Sequence, residues 1–282
     1  MKKLAVLGHP IGHTLSPVMH RASLESLGLA GDYEYDKLDV PPHQLITRLE
    51  LMPAENYAGV NLTIPLKEVA FRGLKNLAES ARILGAVNTV EFSAGGLIGH
   101  NTDGCGFLEA LKEAFGKTVG GDDVFVLGCG GAGRAVALTA ALNGAKSLTL
   151  ADVDAARVAA LAIEIHKRTP AVTINQVLDK KEQIAAAKKS GLIIHASPVG
   201  MKKEDTSLLP PEAFHSGQRV FDLIYMYPET AILSVAKTAG AKIANGLGML
   251  LHQGAQSFRI WTGIEPDINA MRRALEKAVY GN

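Results

Sequence analysis

A glycine-rich segment carries the clearest chemical signal in the sequence. Residues 124–142 read VFVLGCGGAGRAVALTAAL, with Gly128, Gly130 and Gly133 in the pattern G-x-G-x-x-G between a strand-like and a helix-like run. The first glycine of this pattern permits a tight turn, the second lets the backbone approach a pyrophosphate, and the third lets the helix pack close to the strand. The amino end of the helix offers N–H groups to the phosphates. The loop residues that we predict to contact a dinucleotide are Gly128, Gly130, Gly131, Ala132 and Gly133.

Two carboxylates follow the next strand, in the segment LTLADVD at 148–154. Asp152 lies about 24 residues past the first glycine of the loop, where an acidic side chain accepts hydrogen bonds from the ribose of NAD and repels a 2′-phosphate. The alternative is that an aspartate here starts the next helix as its N-cap. Both roles fit together if Asp152 binds the ribose and Asp154 caps the helix. The segment therefore predicts NAD as the preferred cofactor and disfavours NADP.

The elements that must position these residues alternate along the whole chain. Runs such as KLAVLGH, YAGVNLTIP, DVFVLG and GLIIHAS suit strands, and helical patterns separate them. Strands that alternate with helices predict an α/β fold with parallel or mixed sheets covered on both faces. Near the start, Ser16 is a plausible N-cap for a helix that has Pro17 at its first position.

Composition bounds the class of protein. The chain has 282 residues, 47% of them hydrophobic, and a net charge of +1, which suits two domains and gives no electrostatic reason to expect nucleic acid or an anionic membrane as a partner. No apolar run approaches the roughly 20 residues that span a bilayer, and the short apolar run at the N-terminus does not resemble a signal peptide. With only two cysteines, a disulfide framework is not expected. We expect a cytoplasmic protein, monomeric or homodimeric, that acts on a small molecule.

Several further segments, taken in order, carry a family resemblance. They are GHPIGHTLSPVMH, GVNLTIPLKE, GAVNT, NTDGCGF, GCGGAGRA, ASPVGM, DLIYMYPET and NGLGMLLHQGA. Together they resemble the shikimate dehydrogenases, including the quinate/shikimate dehydrogenase branch. The resemblance implies an N-terminal α/β substrate domain, at 1–103 plus 246–282, a Rossmann-type NAD(P)-binding domain at 104–245, and an active site in the cleft between them.

The resemblance also implies roles for individual residues. Lys67 of PLKE would be the catalytic acid/base, and Asp103 of NTDG would pair with it. The residues that would hold the substrate are Thr14, Ser16, Asn61, Thr63, Lys67, Asn88, Asp103, Tyr225 and Gln253. Beyond the glycine loop, the residues that we expect to bind the cofactor are Asp152, Asp154, Arg157, Leu223 and Gly246.

Simpler roles remain open for several of these residues. Lys67 would suit a solvated first turn of a helix, because most lysines are solvated. Asn88 could be a turn residue before a strand, and Gln253 a solvated helix residue. No cluster of His, Cys and Asp has metal-ligand spacing, so we expect no metal. The histidines to which we assign no chemistry are His9, His13, His100 and His195.

Two departures from the family pattern bear on cofactor and substrate. NADP-dependent members of the family typically have an arginine where this chain has Val153, which again favours NAD. Thr14 stands where serine is common, so the carboxylate pocket should be tighter. We therefore expect an NAD-preferring enzyme that interconverts shikimate and 3-dehydroshikimate, with quinate and 3-dehydroquinate as a further substrate pair. The alternatives are an NADP-dependent biosynthetic shikimate dehydrogenase and a non-enzymatic regulator that binds the same ligands.

Overall fold

The chain folds into two units. The computed structural model describes residues 1–12 and 14–281, so His13, to which we assign no chemistry, and Asn282 lie outside the described residues. Unit 1 comprises Met1–Gly106 and Leu250–Asn282, and unit 2 comprises Phe107–Met249. The predicted α/β class is confirmed, because each unit has a six-stranded sheet joined by helices.

Unit 1 has a mixed sheet with the strand order β2-β1-β3-β5-β6-β4. β1 runs parallel to both of its neighbours, the edge strand β2 and the inner strand β3, whereas β5 runs antiparallel to both β3 and β6. The elements are β1 (Lys2–Gly8), α1 (Ser16–Ser26), β2 (Tyr33–Asp39), α2 (Leu45–Leu51), β3 (Tyr57–Leu62), α3 (Leu66–Gly73), β4 (Asn76–Leu77), α4 (Glu79–Leu84), β5 (Thr89–Ser93), β6 (Gly96–His100), the start of α5 (Asp103–Phe115), most of α10 (Leu247–Thr262) and α11 (Ile268–Tyr280).

Burial explains why unit 1 folds in this way. β1 is buried from Leu4 to Gly8, the continuous apolar run typical of a parallel strand that is covered on both faces. One core cluster lies around Leu45, Leu49 and Val60. A second cluster, on the other residues of β1, contains Tyr35 and Trp261.

Unit 2 has a parallel sheet with the order β12-β11-β10-β7-β8-β9. Its chain order reverses between β10 and β7, the arrangement of a doubly wound nucleotide-binding fold. The elements are the remainder of α5, β7 (Asp123–Leu127), α6 (Gly131–Leu142), β8 (Ser147–Ala151), α7 (Ala155–Arg168), β9 (Thr173–Gln176), α8 (Lys180–Lys189), β10 (Leu192–His195), β11 (Arg219–Asp222), α9 (Ala231–Thr238), β12 (Lys242–Asn245) and the first residues of α10.

Helix starts test two of the capping predictions. The N-cap of α1 is Leu15, with no side-chain cap bond, so the prediction that Ser16 caps this helix is wrong: Ser16 is already its first residue. The prediction for Asp154 is confirmed, because its carboxylate accepts from the N–H groups of Ala156 and Arg157 at the start of α7. Among the described residues, none of the helices combines the length and apolar character needed to cross a bilayer.

Candidate functional site

An ion pair joins two distant points of unit 1. Lys67 lies in the first turn of α3 and Asp103 opens α5, and Nζ of Lys67 donates to Oδ2 of Asp103 at 2.8 Å. The side chains are 30% and 17% exposed, so both are accessible to solvent while most of their surface is covered. An amine held against a carboxylate, with access to solvent, is suited to proton transfer at a bound small molecule.

The second oxygen of Asp103 is held by an amide. Nδ2 of Asn88 donates to Oδ1 of Asp103 at 2.9 Å, and Oδ1 of Asn88 accepts from the N–H of Thr102 at 2.9 Å. The N–H of Asp103 donates to Oδ1 of Asn101, also at 2.9 Å. The carboxylate is therefore fixed on both sides, and its orientation toward Lys67 is determined before any ligand binds.

A buried polar network lies beside Asn88. Nδ2 of Asn61 donates to Oγ of Ser257 at 3.0 Å and to Oγ1 of Thr89 at 3.2 Å, and the hydroxyl of Tyr35 donates to Oδ1 of Asn61 at 2.8 Å. Full burial raises the pKa of Tyr35 well above its usual value, so this hydroxyl keeps its proton and acts as a donor. Tyr35, Thr102 and Ser257 were not identified from the sequence: nothing in the local pattern sets Tyr35 or Ser257 apart, and in the NTDG segment only Asp103 was predicted to have a role.

The other residues predicted to hold the substrate fall into separate places. Oε1 of Gln253 accepts from Nδ2 of Asn88 at 3.3 Å, which joins this helix residue to the network. Oγ1 of Thr14 accepts from the N–H of Ser16 at 3.3 Å, and Thr63 follows β3, where its N–H donates to the carbonyl of Leu7. The remaining predicted residue, Tyr225, belongs to unit 2, where burial raises the pKa of its hydroxyl.

The glycine loop of unit 2 has the form that its pattern predicts. Gly128 has φ +106°, which favours glycine, and a Cβ added at Gly133 would lie 1.8 Å from the carbonyl oxygen of Gly128. A Cβ added at Gly130 or Gly131 would instead meet nothing within 4 Å. The close contact packs α6 onto β7, and the open side leaves room for a pyrophosphate at the amino end of α6, so these residues fit a dinucleotide.

The two aspartates after β8 have different surroundings. Oδ2 of Asp152 accepts from the N–H of Cys129 at 2.6 Å, and Oδ1 accepts from the N–H of Asp154 at 2.9 Å. One carboxylate oxygen thus holds the main chain of the glycine loop, and the other holds the turn between β8 and α7. Nε of Arg157 lies 3.1 Å from Oδ2 of Asp154, while the side chain of Val153 is fully exposed.

The last two predicted cofactor residues lie at the ends of β11 and β12. Leu223 directly follows β11, and its N–H donates to the carbonyl of His195 at 2.9 Å. A Cβ added at Gly246 would lie 2.1 Å from the carbonyl oxygen of Leu223. Because every strand pair in this sheet is parallel, these residues share the carboxyl edge of the sheet with the glycine loop, where ligands of such folds bind.

These features define the class of protein: an α/β oxidoreductase with a Rossmann-type dinucleotide-binding unit. Two family models then match the chain, the shikimate dehydrogenase substrate binding domain over residues 6–90 and the shikimate 5'-dehydrogenase C-terminal domain over residues 246–276. A shikimate dehydrogenase (NADP(+)) of Thermus thermophilus is 41% identical over 99% of both chains, and one of Methanopyrus kandleri is 38% identical over 96% of this chain and 94% of the other. The chain belongs to the shikimate dehydrogenase family.

Solved structures agree with this assignment. The Thermus thermophilus shikimate 5-dehydrogenase in complex with NADP(H) and shikimate has a TM-score of 0.85 and 40% identity, covering 99% of this chain and 100% of the other. A quinate dehydrogenase from Corynebacterium glutamicum in complex with NAD has a TM-score of 0.86 and 29% identity, covering 97% and 98%.

The prediction that NAD is preferred over NADP is wrong. The relatives from Thermus thermophilus and Methanopyrus kandleri are both named as NADP(+) enzymes, and the Thermus thermophilus structure contains NADP(H). The residue on which the prediction rested has a further role in the structure. The prediction took Asp152 as a ribose ligand that excludes a 2′-phosphate, whereas in the structure both of its oxygens also accept hydrogen bonds from the main chain, so its presence after β8 does not by itself select NAD.

Proposed function

We propose that this chain interconverts shikimate and 3-dehydroshikimate with NADP as its cofactor. Unit 1 binds the substrate and unit 2 binds the dinucleotide. The observation that carries the proposal is the Lys67–Asp103 ion pair at 2.8 Å, fixed by Asn88, in a chain whose residues 6–90 match a substrate-binding domain.

The proton is handled by Lys67. Oxidation of a secondary alcohol removes a hydride from carbon and a proton from oxygen, and NADP, when bound, would accept the hydride. In that direction a neutral Lys67 accepts the hydroxyl proton, and in the direction of reduction its ammonium returns a proton to the carbonyl oxygen. Asp103 stabilises the ammonium by charge and holds Nζ in one position, so it acts with Lys67 as one unit.

The extra phosphate of NADP needs a positive partner. Arg157 is the basic side chain in the first turn of α7, and its side chain is 61% exposed beside Asp154. A guanidinium in this place can pair with the 2′-phosphate through two parallel hydrogen bonds. Val153 is uncharged, so Arg157 carries the recognition of the phosphate.

Quinate is the second substrate that we propose. The support is the similarity in fold and sequence to the quinate dehydrogenase of Corynebacterium glutamicum. Initial rates on shikimate and on quinate, each with NADP, test this directly. Turnover of shikimate without turnover of quinate would reject the second substrate and leave the first.

The test of the main proposal is Lys67→Ala, with Lys75→Ala as a matched control, since Lys75 is an exposed lysine of the same unit. We expect kcat for shikimate to fall by about 100-fold or more in Lys67→Ala, the usual scale for a general acid or base, and to stay unchanged in the control. Binding of shikimate, measured by calorimetry, should change much less than kcat. Near-normal kcat in Lys67→Ala would remove this lysine from the mechanism, and a wild type that binds shikimate without turnover would identify a regulator instead.

A further inference from the structure

Three side chains of unit 2 form a line of hydrogen bonds that the proposed reaction does not use. Nδ1 of His195 lies 2.9 Å from Oδ1 of Asp222, and Nε2 of His195 lies 2.6 Å from Oγ of Ser197. His195 ends β10 and Asp222 ends β11, and their side chains are 1% and 0% exposed. Ser197, two residues past β10, is only partly buried.

The partners of Asp222 determine where the protons lie. Oδ1 also accepts from the N–H of Ile224 at 3.0 Å, and Oδ2 accepts from the hydroxyl of Thr230 at 2.5 Å. A carboxylate that accepts on both oxygens requires its histidine neighbour to donate, so Nδ1 of His195 carries the hydrogen. In the neutral ring Nε2 is then an acceptor, and Ser197 donates its hydroxyl hydrogen to it.

This arrangement determines what Ser197 offers to a ligand. A serine hydroxyl has one hydrogen and two acceptor sites. The hydrogen goes to His195, and the oxygen accepts from the N–H of Val199 at 3.3 Å. Counting the contacts among the described residues, Oγ of Ser197 still has one acceptor site that a ligand can use. Ser197 therefore suits a ligand group that donates a hydrogen bond and does not suit a phosphate oxygen, which can only accept.

Ser197 borders the glycine loop. A Cβ added at Gly128 would lie 2.7 Å from the backbone N of Ser197, and one added at Gly133 would lie 3.3 Å from Cβ of Ala196. β10 also pairs directly with β7, the strand that leads into the loop. The hydroxyl is thus on the edge of the sheet at which we propose that the dinucleotide binds.

The same residue types form the nucleophilic triads of hydrolases, but burial excludes that role here. A triad histidine must return its proton to the leaving group of the substrate. With 1% of its side chain exposed, His195 has no surface from which a leaving group can take a proton. The line of residues holds a hydroxyl in place and does not activate it.

We propose that Ser197 accepts a hydrogen bond from a donor group of the bound dinucleotide, a ribose hydroxyl or the carboxamide of the nicotinamide, and that His195 and Asp222 are positioning residues that set its rotamer. The proposal rests on the proposed function only in that NADP binds to unit 2.

Calorimetric binding of NADP to the intact chain is the first test. We expect Ser197→Ala to raise the Kd about fivefold, which is the scale of one neutral hydrogen bond. Ser147→Ala is the matched control, because Ser147 also donates to a side chain but lies at the amino end of β8. His195→Leu should weaken binding by a similar factor. The double variant should be no weaker than either single one, since the two residues act as one unit.

Several results would overturn the proposal. An unchanged Kd in Ser197→Ala would do so, and so would additive losses in the double variant. A wild type that fails to bind NADP would reject the proposed function itself, so the two failures are distinguishable. Hydrolysis of p-nitrophenyl acetate that depends on Ser197 would identify a nucleophile in place of a ligand contact.

Two measurements complete the test. Nitrogen-15 NMR of the wild type should show His195 with its hydrogen on Nδ1, a result that does not depend on whether His195→Leu folds. A hydrogen on Nε2 would leave the Ser197 hydrogen free and contradict the assignment. Binding of 2′-phospho-ADP-ribose, which lacks the nicotinamide, separates the two donors: the effect of Ser197→Ala persists with this ligand if the donor is a ribose hydroxyl and disappears if it is the carboxamide.

Discussion

His20 makes unit 1 sensitive to acid. Its ring is fully buried and stacks on Tyr35, with ring centroids 4.5 Å apart and planes at 8°, and it lies 5.4 Å from the ring of Trp261. Neither ring nitrogen has a hydrogen-bond partner of ordinary geometry among the described residues. Burial lowers the pKa of His20 to about 3, although the side chain of Asn61 opposes part of this effect.

The size of the effect follows from the two pKa values. Below pH 6.5 the unfolded chain binds a proton at His20 and the folded chain does not, so the free energy of unfolding decreases with falling pH until the folded pKa near 3 is reached. The slope in this window is about 1.4 kcal/mol per pH unit. Between pH 7 and pH 5, His20 alone should therefore cost unit 1 about 2 kcal/mol of stability.

The perturbation that isolates this term is His20→Phe, which keeps a flat ring for the stack and cannot bind a proton. Trp261 is the only tryptophan of the chain and is buried within unit 1, so its fluorescence during urea unfolding follows this unit. We expect the free energy of unfolding of the wild type to fall between pH 7 and pH 5 by about 2 kcal/mol more than that of His20→Phe. Equal losses in the two proteins would show that His20 is protonated at little cost in the folded state.

Three further results are expected. Asp103→Asn should lower kcat/KM for shikimate at least about 10-fold and change the pH–rate profile, because the charge that holds Lys67 is lost; an unaltered profile with full activity would leave Asp103 only a structural role. Val153→Arg should lower the Kd of NADP about fivefold or more, since it adds an exposed guanidinium next to the proposed phosphate site; calorimetry that shows no gain would place the 2′-phosphate elsewhere. Gly133→Ala should lower the free energy of unfolding by about 2 kcal/mol or more, because the added Cβ would collide with the backbone of Gly128. Gly130→Ala should keep the melting temperature and lose NADP binding. A destabilised Gly130→Ala and a stable Gly133→Ala would contradict the geometry of the loop.

The features that could be predicted from the sequence are those that depend on residues close together in the chain. The glycine loop works through turn geometry and close packing over a few residues, so its pattern is visible in the chain itself. The alternation of strands and helices predicted the α/β class for the same reason, because each element has its own hydrophobic period. The capping role of Asp154 is also local, since the side chain bonds to N–H groups two and three residues further on.

Prediction failed where a residue type suits several partners. The preference for NAD, which is wrong, was inferred chiefly from the type and position of Asp152, and the structure shows that this carboxylate also accepts from the N–H of Cys129, 23 residues away in the chain. Ser16 has the residue type of an N-cap. The helix nevertheless begins at Ser16 itself, one residue earlier than predicted, and Leu15 is its N-cap. A side chain with more than one possible acceptor or donor is assigned only when the fold fixes its neighbours.

By itself, the sequence determined the α/β class, the glycine loop and the family, because these depend on patterns that are contiguous along the chain or occur in a fixed order. Apart from the Lys67–Asp103 pair, which the family resemblance implied, tertiary structure alone decided which side chains meet. Asn61 and Ser257 are 196 residues apart, and His195 and Asp222 are 27 apart, yet each pair is joined by a hydrogen bond that the sequence did not predict. The physical reason is that hydrogen bonds act over about 3 Å, and no local periodicity records which distant residues the packing of helices on sheets brings to that distance.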